Sequence, residues 1–78
     1  YPQLRVWNHI NNAMHFQYVD TVEQATELIR RLIIEQLADK TVTVNAFGLE
    51  QWQSEAWAEW YDDEERDIMR LVNPDDDA

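Results

Sequence analysis

The sequence predicts a small α+β fold, in which one main helix packs on a small antiparallel sheet. Apolar residues recur at spacings of three and four over residues 21–38, which is typical of an amphipathic helix. Aromatic residues alternate over residues 15–19, and threonine and valine alternate over residues 41–46, as is typical of strands. The 78 residues suffice for one domain, which at this size buries only about 60% of the surface exposed by its unfolded chain.

The N-terminal segment, residues 1–13, contains no acidic residue and is rich in asparagine. We interpret it as an N-terminal extension or arm, because the stretch that begins at Met14 resembles a natural chain start. The single acidic domain is then expected over residues 14–72. Alternatively, the segment forms a short amphipathic helix, because three of its apolar residues recur every three positions. These residues are Leu4, Trp7 and Ile10.

The main helix is predicted to begin at Thr21 and to end before Asp39. Thr21 and Gln24 have the spacing of a capping box, which satisfies free N–H groups at a helix start. Asp20 and Glu23 have the same spacing, so Asp20 is the alternative capping residue, one position earlier. The apolar stripe consists of Val22, Ala25, Leu28, Ile29, Leu32, Ile33 and Leu37.

The two alternating segments predict which side chains share a face of the sheet. Phe16 and Tyr18 are expected on one face of the first strand, and Val42 and Val44 are expected to point inward from the second. Gly48 is the sole glycine of the chain, so we expect a bend or bulge where another residue would be strained.

Residues 49–61 have two interpretations. As a hairpin, they belong to strands 48–53 and 56–61 around a turn at Ser54-Glu55. That turn lacks the usual Asn-Gly or Asp-Gly chemistry, so pattern alone slightly favours a helix. The helical spacing is that of Leu49, Trp52, Ala56 and Trp60.

Two motifs in this region carry a family resemblance. Asn-Ala-Phe-Gly-Leu-Glu occupies residues 45–50, and Trp-Ala-Glu-Trp-Tyr-Asp-Asp occupies residues 57–63. An aromatic strand opening, a Thr-Val-Glu-Gln-Ala helix start and a closing Asp67-Ile68 accompany them. With these features, residues 14–68 resemble a group of short, uncharacterised phage and prophage proteins. The resemblance implies a phage-like origin and carries no activity or catalytic residue.

The resemblance also implies a fold. In that group an Asp-Gly turn lies where Ser54-Glu55 lies here, so the order strand–helix–strand–hairpin–short helix is favoured. A mostly α fold with residues 49–72 helical is the alternative. The group usually has a glycine where Phe47 stands and another near Glu65, and this chain departs from both. The closing helix is expected over residues 64–72 with Ile68, Leu71 and Val72 inward, and residues 73–78 are expected to form a disordered acidic tail.

The charge of the chain predicts the kind of partner. The net charge is −10, and it is concentrated in residues 50–78, which hold eleven acidic and two basic residues. Residues 1–49 hold five acidic and four basic residues. Direct binding to nucleic acid or to an anionic membrane is therefore disfavoured, and a basic protein surface is favoured. The absence of cysteine excludes thiolate metal sites and fits a cytoplasmic protein, in the host cytoplasm if it is phage-encoded.

The hairpin predicts a candidate patch. A two-residue turn places Glu50 opposite Glu59 and Trp52 opposite Trp57 on one face. The patch either consists of solvated carboxylates with no binding role or is a binding site for arginines, which pair with carboxylates and stack on tryptophan. Paired carboxylates also suggest acid–base catalysis, but 78 residues with one glycine offer little cleft, so we predict that the chain is not an enzyme.

Residues 62–67 form an acidic run that invites comparison with a calcium loop. The run lacks the central glycine of an EF-hand, and Asn73 stands at position twelve instead of glutamate. We therefore predict no metal site and no cofactor.

These observations predict an acidic protein-binding module that acts as an inhibitor or nucleic-acid mimic on a basic surface of a host protein. The alternative is a structural or homo-oligomeric protein whose exposed tryptophans form a self-interface. The predicted partner-binding residues are Glu50, Glu55, Glu59, Asp62, Asp63, Glu64, Glu65 and Asp67, with Trp57 and Tyr61 as anchors.

Overall fold

A computed structural model describes residues 3–73 and has the predicted α+β architecture, so the mostly α alternative is wrong. Its four strands form one antiparallel sheet in the order β2-β1-β3-β4. One long and one short helix pack on the same face of this sheet. The elements are β1 (Leu4–Ile10), β2 (Ala13–Val19), α1 (Val22–Leu37), β3 (Asn45–Gln53), β4 (Ala56–Glu59) and α2 (Ile68–Val72).

The N-terminal segment differs from its prediction, because β1 is an inner strand of the sheet rather than an arm or a helix. It pairs with β2 on one side and β3 on the other. Its residues alternate: Val6 is buried under the helices, and Trp7 lies on the opposite face. The spacing of Leu4, Trp7 and Ile10 suggested a helix, but Asn11 turns the chain with φ 52° and makes a hairpin with β2.

Helix α1 begins where the capping pattern predicted. The Thr21 hydroxyl accepts a hydrogen bond from the Gln24 N–H at 3.0 Å, and the Gln24 side chain accepts one from the Asp20 N–H at 2.8 Å. These bonds satisfy N–H groups that have no partner within the helix. The hydrophobic core lies between the helices and the sheet and consists of Val6, Val19, Ala25, Leu28, Ile29, Phe47, Leu49, Ile68 and Val72.

A short polar chain inside the core fixes α1 over the sheet. Gln36 on α1 donates to the Asn8 side chain at 2.7 Å and accepts from the Asn45 side chain at 3.0 Å. Asn8 in turn donates to the Ala46 carbonyl at 3.2 Å. Because Asn8 and Gln36 are both buried, each would cost stability if it lost its partner.

The strand predicted over residues 41–46 is not a separate strand, because β3 runs without a break into the predicted hairpin strand 48–53, and the predicted order is therefore wrong: a hairpin precedes α1 and a second hairpin follows it. Residues 41–44 form a loop, and β3 begins at Asn45. The side chain of Asn11 holds this loop, because its oxygen accepts from the N–H groups of Thr43 and Val44 at 2.9 and 3.0 Å. Val44 is therefore exposed instead of pointing inward.

The second hairpin has the predicted register. Glu50 faces Glu59 and Trp52 faces Trp57 across β3 and β4. Ser54 and Glu55 have φ values of 53° and 66°, which are the positive values that a type I′ turn demands of both central residues. Asparagine and glycine tolerate such values, whereas glutamate is strained by them.

The closing helix is shorter than predicted. Residues 64–67 precede it, Glu65 has φ 62°, and α2 begins after Asp67, whose side chain accepts from the Arg70 N–H at 3.3 Å. Ile68 and Val72 are buried as predicted, and Leu71 is half-buried. The predicted acidic tail lies, apart from Asn73, outside the described residues, as do residues 1 and 2.

Candidate functional site: the aromatic face of the sheet

The sheet face opposite the helices carries a group of aromatic side chains, which we call the aromatic face. Strand alternation places them there, since the intervening residues point into the core. Phe16, Tyr18 and Trp52 remain 48%, 56% and 45% exposed. An exposed group of this size is more typical of a binding surface than of a surface that only faces water. The aromatic face consists of Trp7, Phe16, Tyr18, Trp52 and Trp57.

Arg5 lies at the centre of the aromatic face. Its guanidinium is 4.0 Å from the ring centre of Phe16 and 4.3 Å from that of Trp57. Its Nε donates to a carboxylate oxygen of Glu50 at 2.7 Å. A guanidinium is planar and weakly hydrated, so it can stack on rings while it pairs with a carboxylate. The face therefore already holds one arginine, and that arginine comes from the chain itself.

Trp57 connects the two ends of the aromatic face. Its ring centre is 5.5 Å from that of Trp52 with the rings nearly perpendicular, and 5.9 Å from that of Tyr18. Tyr18 belongs to β2 and Trp57 to β4, which are the two outermost strands. Aromatic pairs at these separations are favourable, so each ring stabilises the position of its neighbour.

Trp7 and Gly48 explain the position of the sole glycine. A Cβ added at Gly48 would lie 2.2 Å from the indole of Trp7, far inside van der Waals contact. Gly48 thus lies in a paired strand with no bulge, and the predicted bend is wrong. The glycine is needed because the indole crosses over it to donate from Nε1 to Glu59 at 3.0 Å.

Glu59 is the carboxylate of the aromatic face that lacks a cation. Partial burial raises its pKa, the hydrogen bond from Trp7 opposes this shift, and the nearby charges of Glu50 and Asp67 add to it. No ion pair of Glu59 is found within residues 3–73. Its second carboxylate oxygen has no hydrogen bond in the same range. A cation placed beside Glu59 would relieve the unfavourable charge.

Four of the predicted partner-binding acids have structural roles. Glu50 pairs with Arg5, and Glu59 accepts from Trp7. Asp62 accepts from the N–H groups of Glu64 and Arg66, both at 2.9 Å, and from Arg66 Nε at 2.8 Å, and its pKa is lowered chiefly by the bond to the Arg66 backbone. Asp67 caps α2.

The other predicted acids lie at the surface. Glu55 stands in the β3–β4 turn, and Asp63 and Glu65 lie in the exposed segment after β4. Glu64 is also exposed and lies 3.4 Å from Arg66 in a solvated ion pair. Of the two predicted anchors, Trp57 belongs to the aromatic face and is half-buried, and Tyr61 is exposed beyond the end of β4. The predicted residues therefore divide into one aromatic site and one solvated acidic segment.

The predicted partner-binding residues omitted five members of the site, which are Arg5, Trp7, Phe16, Tyr18 and Trp52. A signal for a strand was present, because Leu4, Val6 and Ile10 recur at even positions as in a strand and the Asn11-Asn12 pair suits a hairpin turn. It was outweighed by the stretch that begins at Met14, whose resemblance to a natural chain start favoured an arm over residues 1–13.

Other kinds of site find little support in the described residues. Within residues 3–73, no group of three or more His, Asp or Glu side chains is arranged to hold a metal ion. In the same range no helix combines the length and the apolar character that a membrane span requires. Comparison with protein-family models, with curated proteins and with solved structures gives no match, so the candidate site rests on its geometry alone.

Proposed function

We propose that this protein is a protein-binding module that recognises an arginine on a basic surface of its partner through the aromatic face. The observation that supports this is Glu59, a partly buried carboxylate beside Trp7 that has no cation within residues 3–73. Arginine is the chemistry that fits, because it pairs with a carboxylate and stacks on aromatic rings at once.

Arg5 supports the choice of arginine over lysine. It is held between two rings and against Glu50, so the surface accommodates a guanidinium with three separate contacts. A second guanidinium at Glu59 would meet a carboxylate beside the Trp7 indole. Cation–π contacts of this kind contribute about 0.5–2 kcal/mol each.

The surface acids add long-range attraction to this local contact. Glu55, Asp63, Glu64 and Glu65 are exposed and lie in the acidic region that begins at residue 50. Such charges raise the association rate with a basic partner and are weakened by salt. The specific role that we propose is inhibition, in which these carboxylates occupy the phosphate positions on a nucleic-acid-binding host protein. For a phage-encoded chain, the compartment implied is the host cytoplasm.

We propose a binding role and not a catalytic one for the facing carboxylates of the sheet. The facing carboxylates of Glu50 and Glu59 lie on an open sheet and are engaged by Arg5 and Trp7. General acid–base chemistry requires a carboxyl group within reach of a bound substrate in a pocket, which an open sheet face does not provide.

The test of arginine recognition is a titration with a peptide of alternating arginine and glycine, followed by tryptophan fluorescence at low and at high salt. We expect Glu59→Gln to weaken binding about fivefold, since an ion pair at a partly exposed carboxylate contributes about 1 kcal/mol. The matched control is Glu35→Gln, which removes the same charge from the exposed surface of α1. An equal loss in both variants would reduce the effect to net charge and overturn the proposal.

The test of the inhibitory role is capture from bacterial lysate at low salt, followed by competition with duplex DNA for the captured protein. The bait variant combines Glu55→Gln, Asp63→Asn, Glu64→Gln and Glu65→Gln. Asp62 is kept, because it holds the loop through three hydrogen bonds. We expect the variant bait to capture no such protein. We also expect duplex DNA to displace the captured protein from the wild-type bait. Undiminished capture by the variant would end the mimicry hypothesis.

A further inference from the structure

Strand β2 is an edge strand that nothing in the described residues covers. It pairs only with β1, and six of its seven residues are exposed. His15 and Gln17 are exposed on the helix side, so α1 does not extend over this edge. Natural edge strands are usually protected by charge, proline, a bulge or short length. Residues 13–19 contain no Asp, Glu, Lys, Arg or proline, and the pairing with β1 runs without a bulge.

The backbone groups available at this edge follow from the hairpin. The two-residue turn after β1 makes Ile10 and Ala13 a hydrogen-bonded pair, and such pairs alternate with non-hydrogen-bonded pairs along the strands. The N–H and C=O groups of every second residue therefore point away from β1. The residues with these outward groups are Met14, Phe16 and Tyr18.

We propose that two copies of this chain associate through β2, in antiparallel register about a twofold axis at Phe16. In this register Phe16 faces its counterpart, Met14 faces Tyr18 of the second copy, and His15 faces Gln17. No charged residue opposes another across the junction, so the pairing avoids like-charge repulsion. The two four-stranded sheets become one sheet, and the two aromatic faces lie on the same side of it.

A second copy is the favoured occupant because of where the acids lie. Eight of the sixteen acidic residues lie within residues 50–67, which form the end of β3, all of β4 and the segment before α2. The β2 edge is on the opposite side of the sheet from β4. It is therefore the edge at which two chains of charge −10 repel each other least.

The first test is sedimentation of the full chain from low to high micromolar concentration, at low and at high salt. We expect a monomer–dimer equilibrium that strengthens with salt, because salt screens the net charge while the junction itself is uncharged. Binding of the arginine peptide is expected to weaken with salt, so failure of this proposal and failure of the proposed function are distinguishable.

The matched variants are Met14→Pro and Met14→Ala. Both remove the same exposed side chain, but only proline removes the outward N–H, at a position where an edge strand tolerates it. We expect Met14→Pro to weaken dimerisation at least tenfold, with Met14→Ala close to wild type and with urea unfolding showing both folded. A wild type that stays monomeric at every concentration and salt overturns the proposal, as does equal weakening by both variants.

A second test fixes the register, using the fact that the chain has no cysteine. His15 and Gln17 would form non-hydrogen-bonded pairs across the junction, where the short Cα separation suits a disulfide. We expect the double variant His15→Cys with Gln17→Cys to form a disulfide-linked dimer under mild oxidation. Each single variant is the control, and equal cross-linking in either one would overturn the register.

Discussion

The two hairpins of the sheet have the same architecture and opposite charge. In the first, β1–β2, Arg5 is the only Asp, Glu, Lys or Arg side chain between Leu4 and Val19. In the second, β3–β4, Glu50, Glu55 and Glu59 have no basic residue between Asn45 and Glu59 to balance them. The first hairpin therefore depends on the second for an anion, and the second depends on the first for donors.

The difference between the hairpins also appears at the two edges of the sheet. β2 has seven residues, of which six are exposed and none is Asp, Glu, Lys or Arg, whereas β4 has only four residues and includes Glu59. Shortness and charge are the usual means by which an edge is kept from pairing with another chain. One edge is thus protected and the other is not, which is why the self-association proposed above is assigned to β2.

Breaking the contact between the hairpins at Gly48 should have the largest effect. Gly48→Ala places a methyl group where the indole of Trp7 lies, so we expect a loss of about 3 kcal/mol in the free energy of unfolding. Urea denaturation measures it. In a Trp7→Ala background the same substitution should cost far less, and an equal cost in both backgrounds would contradict the steric explanation.

Replacing Arg5 should have the next largest effect. Arg5→Met removes the ion pair and the guanidinium stacking, and it leaves Glu50 half-buried opposite Glu59, so we expect a loss of about 2 kcal/mol. Arg5→Lys keeps the charge but not the planar group and should lose about half as much. Arg31→Lys on the exposed side of α1 is the control. Unfolding midpoints that do not distinguish Arg5→Lys from this control would argue against stacking.

The turns of the hairpins offer a stabilising prediction. Glu55→Gly should raise the free energy of unfolding by about 1 kcal/mol, because glycine accepts the positive φ that strains glutamate. Asn11→Gly should lower it instead, since asparagine already tolerates its φ of 52° and glycine loses the side-chain oxygen that accepts from the Thr43 and Val44 N–H groups. Thermal unfolding of the two variants side by side tests this, and a gain at Asn11 equal to that at Glu55 would contradict it.

The smallest effects concern pH, and they have opposite signs at two acids. The pKa of Glu59 is raised by burial, so its contribution to stability is fully present below the ordinary glutamate pKa and is lost as pH rises through the raised value. The pKa of Asp62 is lowered by its hydrogen bonds, chiefly to the Arg66 backbone. Its contribution is present above the ordinary aspartate pKa and is lost as pH falls through the lowered value.

Urea unfolding between about pH 3 and pH 7 separates these two contributions. Glu59→Gln should reduce the decline in stability toward neutral pH, and Asp62→Asn should reduce the decline toward acid pH. Glu27→Gln on the exposed surface of α1 is the control for the loss of one acidic side chain. A Glu59→Gln profile parallel to that of the wild type would contradict the role of burial.

The sequence by itself determined the elements whose signals are local. The apolar repeat and the Thr21–Gln24 cap predicted α1 to within a residue at each end, because capping and amphipathicity depend on residues three or four apart. The register of the second hairpin followed once a two-residue turn was assumed, since the turn length fixes every pair. The family resemblance was needed to favour that turn, because Ser54-Glu55 lacks its usual residues.

Only the tertiary structure decided the composition of the site. Arg5 meets Glu50 and Trp7 meets Glu59 across more than forty residues of chain, and no local pattern encodes such a pairing. It arises because β1 is inserted between β2 and β3, so that a segment interpreted as an arm became an inner strand. The sequence predicted Glu50 and Glu59 as members of the patch, and the order of the strands decided that they contact Arg5 and Trp7.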